Sequence, residues 1–383
     1  HKERAHKSYQ MVRPRSKKLW SVILMYDIVI VGSGPSGCRT AQIVASAGYK
    51  VLVVEEHAEA GVPTQCTGFV SEKIGKIPED IVVNKIQTAK FCADANGGSF
   101  SIRAKEPMRL MDRHAFDKFV YGEAAAAGVE FKFNTRFVGY EKTDGGVKVK
   151  TTNGEFETKV LVGADGPNSS VAKAANLKQP ENQLFLIQVR AKAKYDAEVA
   201  ELWFGSDVAP GNFAWVVPES ETVARVGLMT NDHPRAFFEK FFEKRIGYPL
   251  AEVNGNITDR LGDTIRYGLI EKSVADHVLL VGDAAAQVKP FSAGGLVYGQ
   301  IGASYAGDAI VRALQENNFS EKFLMENYEK KWKTELGKGI KKGLMFKKIF
   351  EKIQDRPVLF SLMRKTGIAN FAAFFDADFI GKD

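Results

Sequence analysis

The segment from Asp27 to Glu55 constrains this chain more than any other. Apolar residues Ile28 to Val31 run directly into Gly32-Ser33-Gly34-Pro35-Ser36-Gly37. A helical stretch continues to Ala47, and after Gly48 a second apolar run over 50–54 ends in Glu55. Strand, glycine turn, helix and strand in that order form the βαβ unit of a doubly wound sheet. In such a turn the first glycine makes the tight bend, the second lets backbone approach a pyrophosphate, and the third lets helix meet strand. The helix N-terminus then faces the phosphate charge. Glu55 lies eighteen positions past Gly37, where a carboxylate accepts from a ribose hydroxyl, with its neighbour Glu56 as the alternative. The candidate dinucleotide residues are therefore Gly32, Gly34, Pro35, Ser36, Gly37, Glu55 and Glu56. NAD and FAD share this fingerprint, so other segments must decide between them.

The remainder of the chain narrows the class by exclusion. Its 383 residues exceed what one core usually organises, and 45% hydrophobic with 26% charged residues excludes disorder and a multi-span membrane protein. The longest apolar stretch, Val22 to Val31, is too short to cross a bilayer and is broken by Asp27. Cys38, Cys66 and Cys92 are odd in number and lack Cys-x-x-Cys spacing, so neither a disulfide framework nor a four-cysteine iron–sulfur site follows, and a reducing, cytoplasmic compartment is expected. Six scattered histidines form no metal-ligand unit, so no metal is expected. The net charge of +7 sits almost entirely in the first 25 residues, where seven Lys and Arg face Glu3 alone. The body is near neutral, and no nucleic-acid partner is implied. Residues 1–24 read as a basic extension before Met25, without the apolar core of a secretory signal.

Further along, strand-like pieces close on Gly163-Ala164-Asp165-Gly166, and residues 183–270 alternate apolar and polar positions as in an antiparallel sheet. Phe237, Phe238, Phe241 and Phe242 form an aromatic helix face that reads as core. A buried strand, His277 to Val281, then ends in Gly282-Asp283, and Pro290-Phe-Ser-Ala-Gly294-Gly295 opens a long helix. An aspartate at a strand end beside a helix N-terminus can hold a ribityl hydroxyl while backbone N–H groups face the pyrimidine edge of a flavin. The fold class expected is α/β: a Rossmann-like FAD-binding domain, an inserted antiparallel β-sheet substrate domain and a C-terminal helical segment. The expected boundaries are 25–60, 105–180 and 272–320 for the first, 61–104 and 181–271 for the second, and 321–383 for the third.

With these three motifs in order, the chain resembles the FAD-dependent hydroxylase-type flavoproteins, Asp165 standing in their middle Asp-Gly motif. Within that group it resembles the geranylgeranyl reductase family, especially its archaeal membrane-lipid branch. The residues that carry this are Gly61-Val-Pro63-Thr-Gln-Cys66-Thr-Gly68, Leu110-Met-Asp112-Arg113-x-x-Phe116-Asp117, Pro210-Gly-Asn-Phe213-Ala-Trp215-Val-Val-Pro218 and Gly282-Asp283-Ala-Ala-Ala-Gln-Val-Lys-Pro290. The resemblance covers about Tyr26 to Leu314 and implies FAD as cofactor. It implies that Cys66 faces flavin and substrate, that Arg113 lies on the flavin side, and that Phe213, Trp215 and Pro218 line a lipid cavity. Flavin halogenases carry Trp-x-Trp-x-x-Pro at this place, and Phe213 departs from that pattern. The longer Cys-Gly-Gly motif of the plant and cyanobacterial branch is absent, which disfavours a chlorophyll role.

The resemblance implies hydrogenation of isolated C=C bonds in geranylgeranyl lipid chains, by hydride from N5 of reduced flavin plus a proton. The electron donor stays open among ferredoxin, a deazaflavin and NADPH. A peripheral position on the inner membrane face is expected, because Lys338, Lys341, Lys342, Lys347, Lys348 and Lys352 interleave with Ile340, Leu344, Phe346, Ile349, Phe350 and Ile353. The alternatives are an FAD-dependent monooxygenase or halogenase, an electron-transfer flavoprotein serving a quinone, and a non-catalytic flavin-binding module.

Overall fold

The computed structural model describes residues 24–64, 66–93, 98–253 and 261–355. The basic extension, apart from Leu24, and the end of the C-terminal segment lie outside the described residues. Two eight-stranded sheets make up the body. In chain order the strands are β1 (Leu24–Val31), β2 (Val51–Val54), β3 (Phe69–Val70), β4 (Val82–Ala93), β5 (Gly98–Met111), β6 (Glu130–Lys132), β7 (Phe137–Thr143) and β8 (Gly146–Thr151). They continue with β9 (Gly154–Gly163), β10 (Gln183–Lys192), β11 (Val199–Phe204), β12 (Phe213–Pro218), β13 (Val223–Thr230), β14 (Leu261–Arg266), β15 (Val274–Ala275) and β16 (Val278–Leu280).

The first sheet has the order β15-β16-β9-β1-β2-β6, with β7 and β8 attached through β9. Its central pairings, β16 with β9, β9 with β1, β1 with β2 and β2 with β6, are all parallel. Such strands are covered on both faces and read as continuous apolar runs, as Val51 to Val54 do, all four buried. The helices α1 (Pro35–Ser46), α2 (Arg113–Ala126), α3 (Ser170–Ala174), α4 (Pro234–Ile246), α5 (Leu296–Glu316), α6 (Glu321–Leu324) and α7 (Lys330–Ile353) complete the regular structure. Helices α1 and α5 touch where Gly307 leaves room for Ile43, whose side chain lies 2.7 Å from the position a Cβ would take.

The second sheet runs β14-β10-β13-β12-β11-β4-β5-β3, antiparallel throughout except for β11 with β4. Strand β5 stays in it as far as Met111, past the boundary expected at residue 104. The register jumps between Ile86/Met108 and Thr88/Arg103, so Pro107, which has no N–H to donate, is accommodated in a bulge and does not end the strand. Helix α4 covers one face, where Phe238, Phe241 and Phe242 pack with Val189, Val226 and Leu228 while Phe237 is half-buried.

Helix α7 corrects one sequence expectation. Trp332, Leu336 and Ile340 join the core of the first sheet, and Phe346 and Phe350 join that of the second, so its apolar side is spent on the body. Lys347, placed by its charge on the solvent face, is 2% exposed. Its Nζ donates to the Gly211 carbonyl at 2.8 Å, lies 3.6 Å from Glu351 and sits 5.2 Å from the Tyr267 ring centroid. Burial pulls its pKa down to about 8. The outward face keeps Lys338, Lys341, Lys342, Lys348 and Lys352, with Met345 and Ile349 exposed among them. No helix among the described residues is long and apolar enough to cross a membrane.

The Phe350 ring lies 4.9 Å from Phe291 and 5.8 Å from Phe204. Phe350→Ala is therefore expected to cost about 3–5 kcal/mol in denaturant unfolding, whereas a helix resting loosely on the body would lose almost nothing.

Candidate functional site

The C-terminal ends of β1, β2, β9 and β16 open on one cavity of about 470 Å³. Its walls hold Gly32, Gly34, Pro35, Ser36, Glu55, Glu56, Cys66, Arg113, Asp165, Gly282, Asp283 and Gly295, so motifs spread over most of the sequence meet in one place. The three glycines of the turn differ in what surrounds them. At Gly32, with φ of 102°, a Cβ would lie 2.4 Å from the Ala164 carbonyl oxygen, and at Gly37 it would lie 2.2 Å from that of Gly32. At Gly34 a Cβ would meet no protein atom within 4 Å. The first and third glycines thus close the protein on itself, and the second leaves space beside the first turn of α1. No side chain caps that turn.

Glu55 accepts from the Ser33 amide at 2.8 Å and hydroxyl at 2.9 Å through one oxygen. Its other oxygen takes the His57 amide at 3.0 Å and lies 2.7 Å from the His57 ring. Burial opposes its ionisation, but these bonds outweigh it and hold the carboxyl below its ordinary value. Glu56 is exposed on the rim. Asp165, on the cavity wall, has its oxygens accepting from the Ser169 hydroxyl at 2.6 Å, the Ser170 amide at 2.7 Å and the Val171 amide at 3.1 Å, which ties down the start of α3.

At the other end, Gly282 adopts φ of 66°, and the Ser36 hydroxyl occupies the space that Cβ atoms at Gly282 and Gly299 would need. The buried Gln287 side chain accepts from the Gly282 amide at 2.8 Å and donates to Tyr328 at 3.0 Å, fixing this turn from behind. Asp283 is pushed up to about 6, first by burial and then by Asp263, with Arg113 opposing. Gly295, at the uncapped start of α5, leaves room for the Asp283 carboxylate, whose Oδ1 is 2.7 Å from the position of a Cβ. Pro290 and Gly294 do not line the cavity. Pro290 packs where Gly343 of α7 lacks a side chain, and Gly294 passes over the Lys289 side chain, so both shape the loop from outside.

Cys66 is half-buried on the cavity wall, its sulfur accepting from the Gly68 amide at 3.3 Å. Two groups pin its segment to the second sheet. Arg225 donates to the carbonyls of Thr67 and Met111, and the Thr67 hydroxyl donates to Gln188 at 2.7 Å. Arg113 is buried and paired with Asp117 at 3.0 Å, with Cys66 near enough to favour its charge. Burial disfavours its charge, but Asp117 and Cys66 more than compensate, so the guanidinium stays cationic. Phe213, Trp215 and Pro218 are not on the cavity wall. Phe213 lies 5.6 Å from Phe291 and 6.3 Å from Trp215, Trp215 donates to Gln188 at 3.0 Å, and the Pro218 carbonyl accepts from Asn84 at 2.9 Å. The cavity and this aromatic cluster share Ile265 and Ala293. Sequence reasoning missed Asp263, Ser33, Gln188, Arg225 and Gln287; only Ser33 and Gln287 sit inside motifs that could have flagged them.

An FAD fits what these residues offer: an open space at Gly34, two uncapped helix starts for anionic or electron-rich groups, and the buried Asp283 carboxylate for a hydroxyl. Gly34→Val is expected to weaken FAD binding by more than about 10-fold, roughly 1.4 kcal/mol, in fluorescence titration. It should shift unfolding of the cofactor-free protein by less than about 0.5 kcal/mol, unlike Gly37→Ala, whose methyl meets backbone.

Residues 25–333 match the FAD binding domain family. The digeranylgeranylglycerophospholipid reductase of Methanocaldococcus jannaschii is 31% identical, with 86% of this chain and 88% of that relative covered. Among solved structures, a geranylgeranyl bacteriochlorophyll reductase-like protein from Thermoplasma acidophilum superposes with a TM-score of 0.79 at 23% identity, over 87% of this chain and 89% of its own. A flavin-dependent brominase gives 0.71 at 18% identity over 94% of both chains. These two likenesses are of fold. The matched family and relative agree with the cavity's construction, and the chain is accordingly an FAD-dependent oxidoreductase belonging to the geranylgeranyl reductase family.

Proposed function

We propose that this protein hydrogenates isolated C=C bonds in the geranylgeranyl chains of isoprenoid, archaeal-type membrane lipids. The observation that carries the reading is the continuity of the cofactor cavity with the aromatic cluster, through Ile265 and Ala293. An unconjugated alkene has no carbonyl to polarise, so its reduction demands an apolar, water-excluding neighbourhood that tolerates transient positive charge. The faces of Phe213, Trp215 and Phe291 supply one.

In this reading the first turn of α1, opened by Gly34, receives the pyrophosphate, Glu55 and the adjacent Glu56 meet the ribose, and Asp283 with the start of α5 meets the ribityl and pyrimidine end. Asp165 acts by fixing the loop that Gly32 approaches. FAD bound there would, once reduced, supply the hydride chemistry. Arg113, kept charged by Asp117, holds Cys66 against the wall where the cofactor and the lipid tail would meet. The two sheets divide the work in this proposal, the first holding FAD and the second the lipid. The relative from Methanocaldococcus jannaschii carries the name of such a lipid reductase, which supports the substrate class.

Mass spectrometry of dithionite-reduced holoenzyme incubated with geranylgeranyl phospholipid should show increments of about 2 Da per double bond. Cys66→Ala should slow their appearance while leaving dithionite reduction of the bound flavin intact. Unchanged lipid mass in the wild type would remove the substrate assignment.

Delivery of such a lipid suits a protein resting on a membrane, and we place the outer face of α7 there, with its five exposed lysines and with Met345 and Ile349 between them. Charge reversal at Lys341, Lys342 and Lys348 is expected to abolish flotation with vesicles containing anionic lipid. Equal flotation of the variant would place the contact elsewhere.

A further inference from the structure

Reduction of an alkene by hydride leaves the second carbon needing a proton, and the carboxyls of the recognised motifs are already engaged. Around the cavity, Glu55 is held ionised by Ser33 and His57, Asp165 is spent on the start of α3, and Asp117 is paired with Arg113. Glu59 pairs with Lys118 at 3.0 Å, and Glu56 is exposed on the rim beside Glu55. Asp283 belongs to the cofactor in the reading above.

Asp263 remains. It sits on β14, a strand of the second sheet, and its carboxylate accepts from the amide of its own neighbour Thr264 at 2.6 Å. No other side-chain partner meets it among the described residues. Side chains two apart on a strand share a face. Asp263 and Ile265 thus form one row, the first in the cavity and the second common to cavity and aromatic cluster, and Tyr267, just past the end of the strand, lies inside the cluster. An acid at the head of that row stands where the cofactor space meets the apolar space. We propose that Asp263 is the proton donor of the alkene reduction, an assignment that rests on the substrate reading above.

The step balances without another reagent. The Asp263 O–H bond breaks as a C–H bond forms on one alkene carbon, and hydride from the reduced cofactor forms the other. The alkene gains two electrons, the cofactor loses two, and the Asp263 carboxylate regains its proton from water at the cavity mouth. Asp283 is the titratable group that Asp263 acts on electrostatically, and the cationic Arg113, which acts on Asp283, lines the same cavity. Burial pushes the Asp263 carboxyl up to about 6, so it carries its proton below that pH and loses it above.

The experiment compares wild type, Asp263→Asn, Asp263→Glu and Asp283→Asn as holoenzymes. In single turnover with geranylgeranyl phospholipid, flavin reoxidation by wild type should fall as pH rises through about 6. In Asp263→Asn it should be at least about 100-fold slower and flat with pH, with partial recovery in Asp263→Glu. Infrared difference spectra across the same pH range should show a component of the carboxylic C=O absorption that is present in Asp283→Asn and absent when Asp263→Asn is added to it. Wild-type reoxidation rates in Asp263→Asn, or identical carboxylic absorption in Asp283→Asn and the double variant, would overturn the assignment. If wild type leaves the lipid unreduced while that absorption behaves as stated, the substrate reading fails and the role as proton donor fails with it. The protonated Asp263 then remains as an observation about the site.

Discussion

Everything in the cavity depends on how closely backbone can approach backbone at the ends of the parallel strands. Gly32 lies against the Ala164 carbonyl and Gly37 against that of Gly32, so the turn after β1 and the turn after β9 are in contact without a side chain between them. That contact brings α1 and the Asp165 loop to one level, and Gly282, seated on Ser36, brings the turn after β16 to the same level. Three separate strand ends then open on one space, at the carboxyl edge where open α/β sheets place their ligands.

The second sheet completes the site from above. Arg225 and Gln188 hold the Cys66 segment, and β14 contributes Asp263 and Ile265 to the wall. In the proposed reading the first sheet therefore holds the cofactor, while the second brings Asp263 to the substrate. Helix α7 ties both together, its Trp332 in one core and its Phe350 in the other.

The parts legible in the sequence were those whose local pattern carries its own geometry. The β1-α1-β2 unit follows from glycine spacing and apolar runs, and α5 from its glycine-rich start. Asp165 was legible as a position but not as a role, because its acceptors are used by amides only a few residues on. Asp263 left no trace: on a strand with polar neighbours, a carboxylate bound for a cavity reads the same as one bound for water. Lys347 misled for the converse reason. Periodicity sorts residues by charge, and nothing local tells that the Gly211 carbonyl and the Tyr267 ring will receive an ammonium group. The continuation of β5 past residue 104 to Met111 left no local sign, since it runs through the register shift that accommodates Pro107.

The aromatic layer between β12 and α7 has a consequence for how a long chain enters. Phe291 touches Phe346 and Phe350 edge-on at 4.8 and 4.9 Å, and Phe213 leans on it from the sheet. Because α7 is anchored in both cores, the layer cannot part by swinging one sheet away from the other. For the lipid proposed above, room in this layer would have to come from rotamer changes of individual phenylalanines. Threading, ring by ring, would then make the residence of a tail sensitive to its length and stiffness well before any bond in it is reduced.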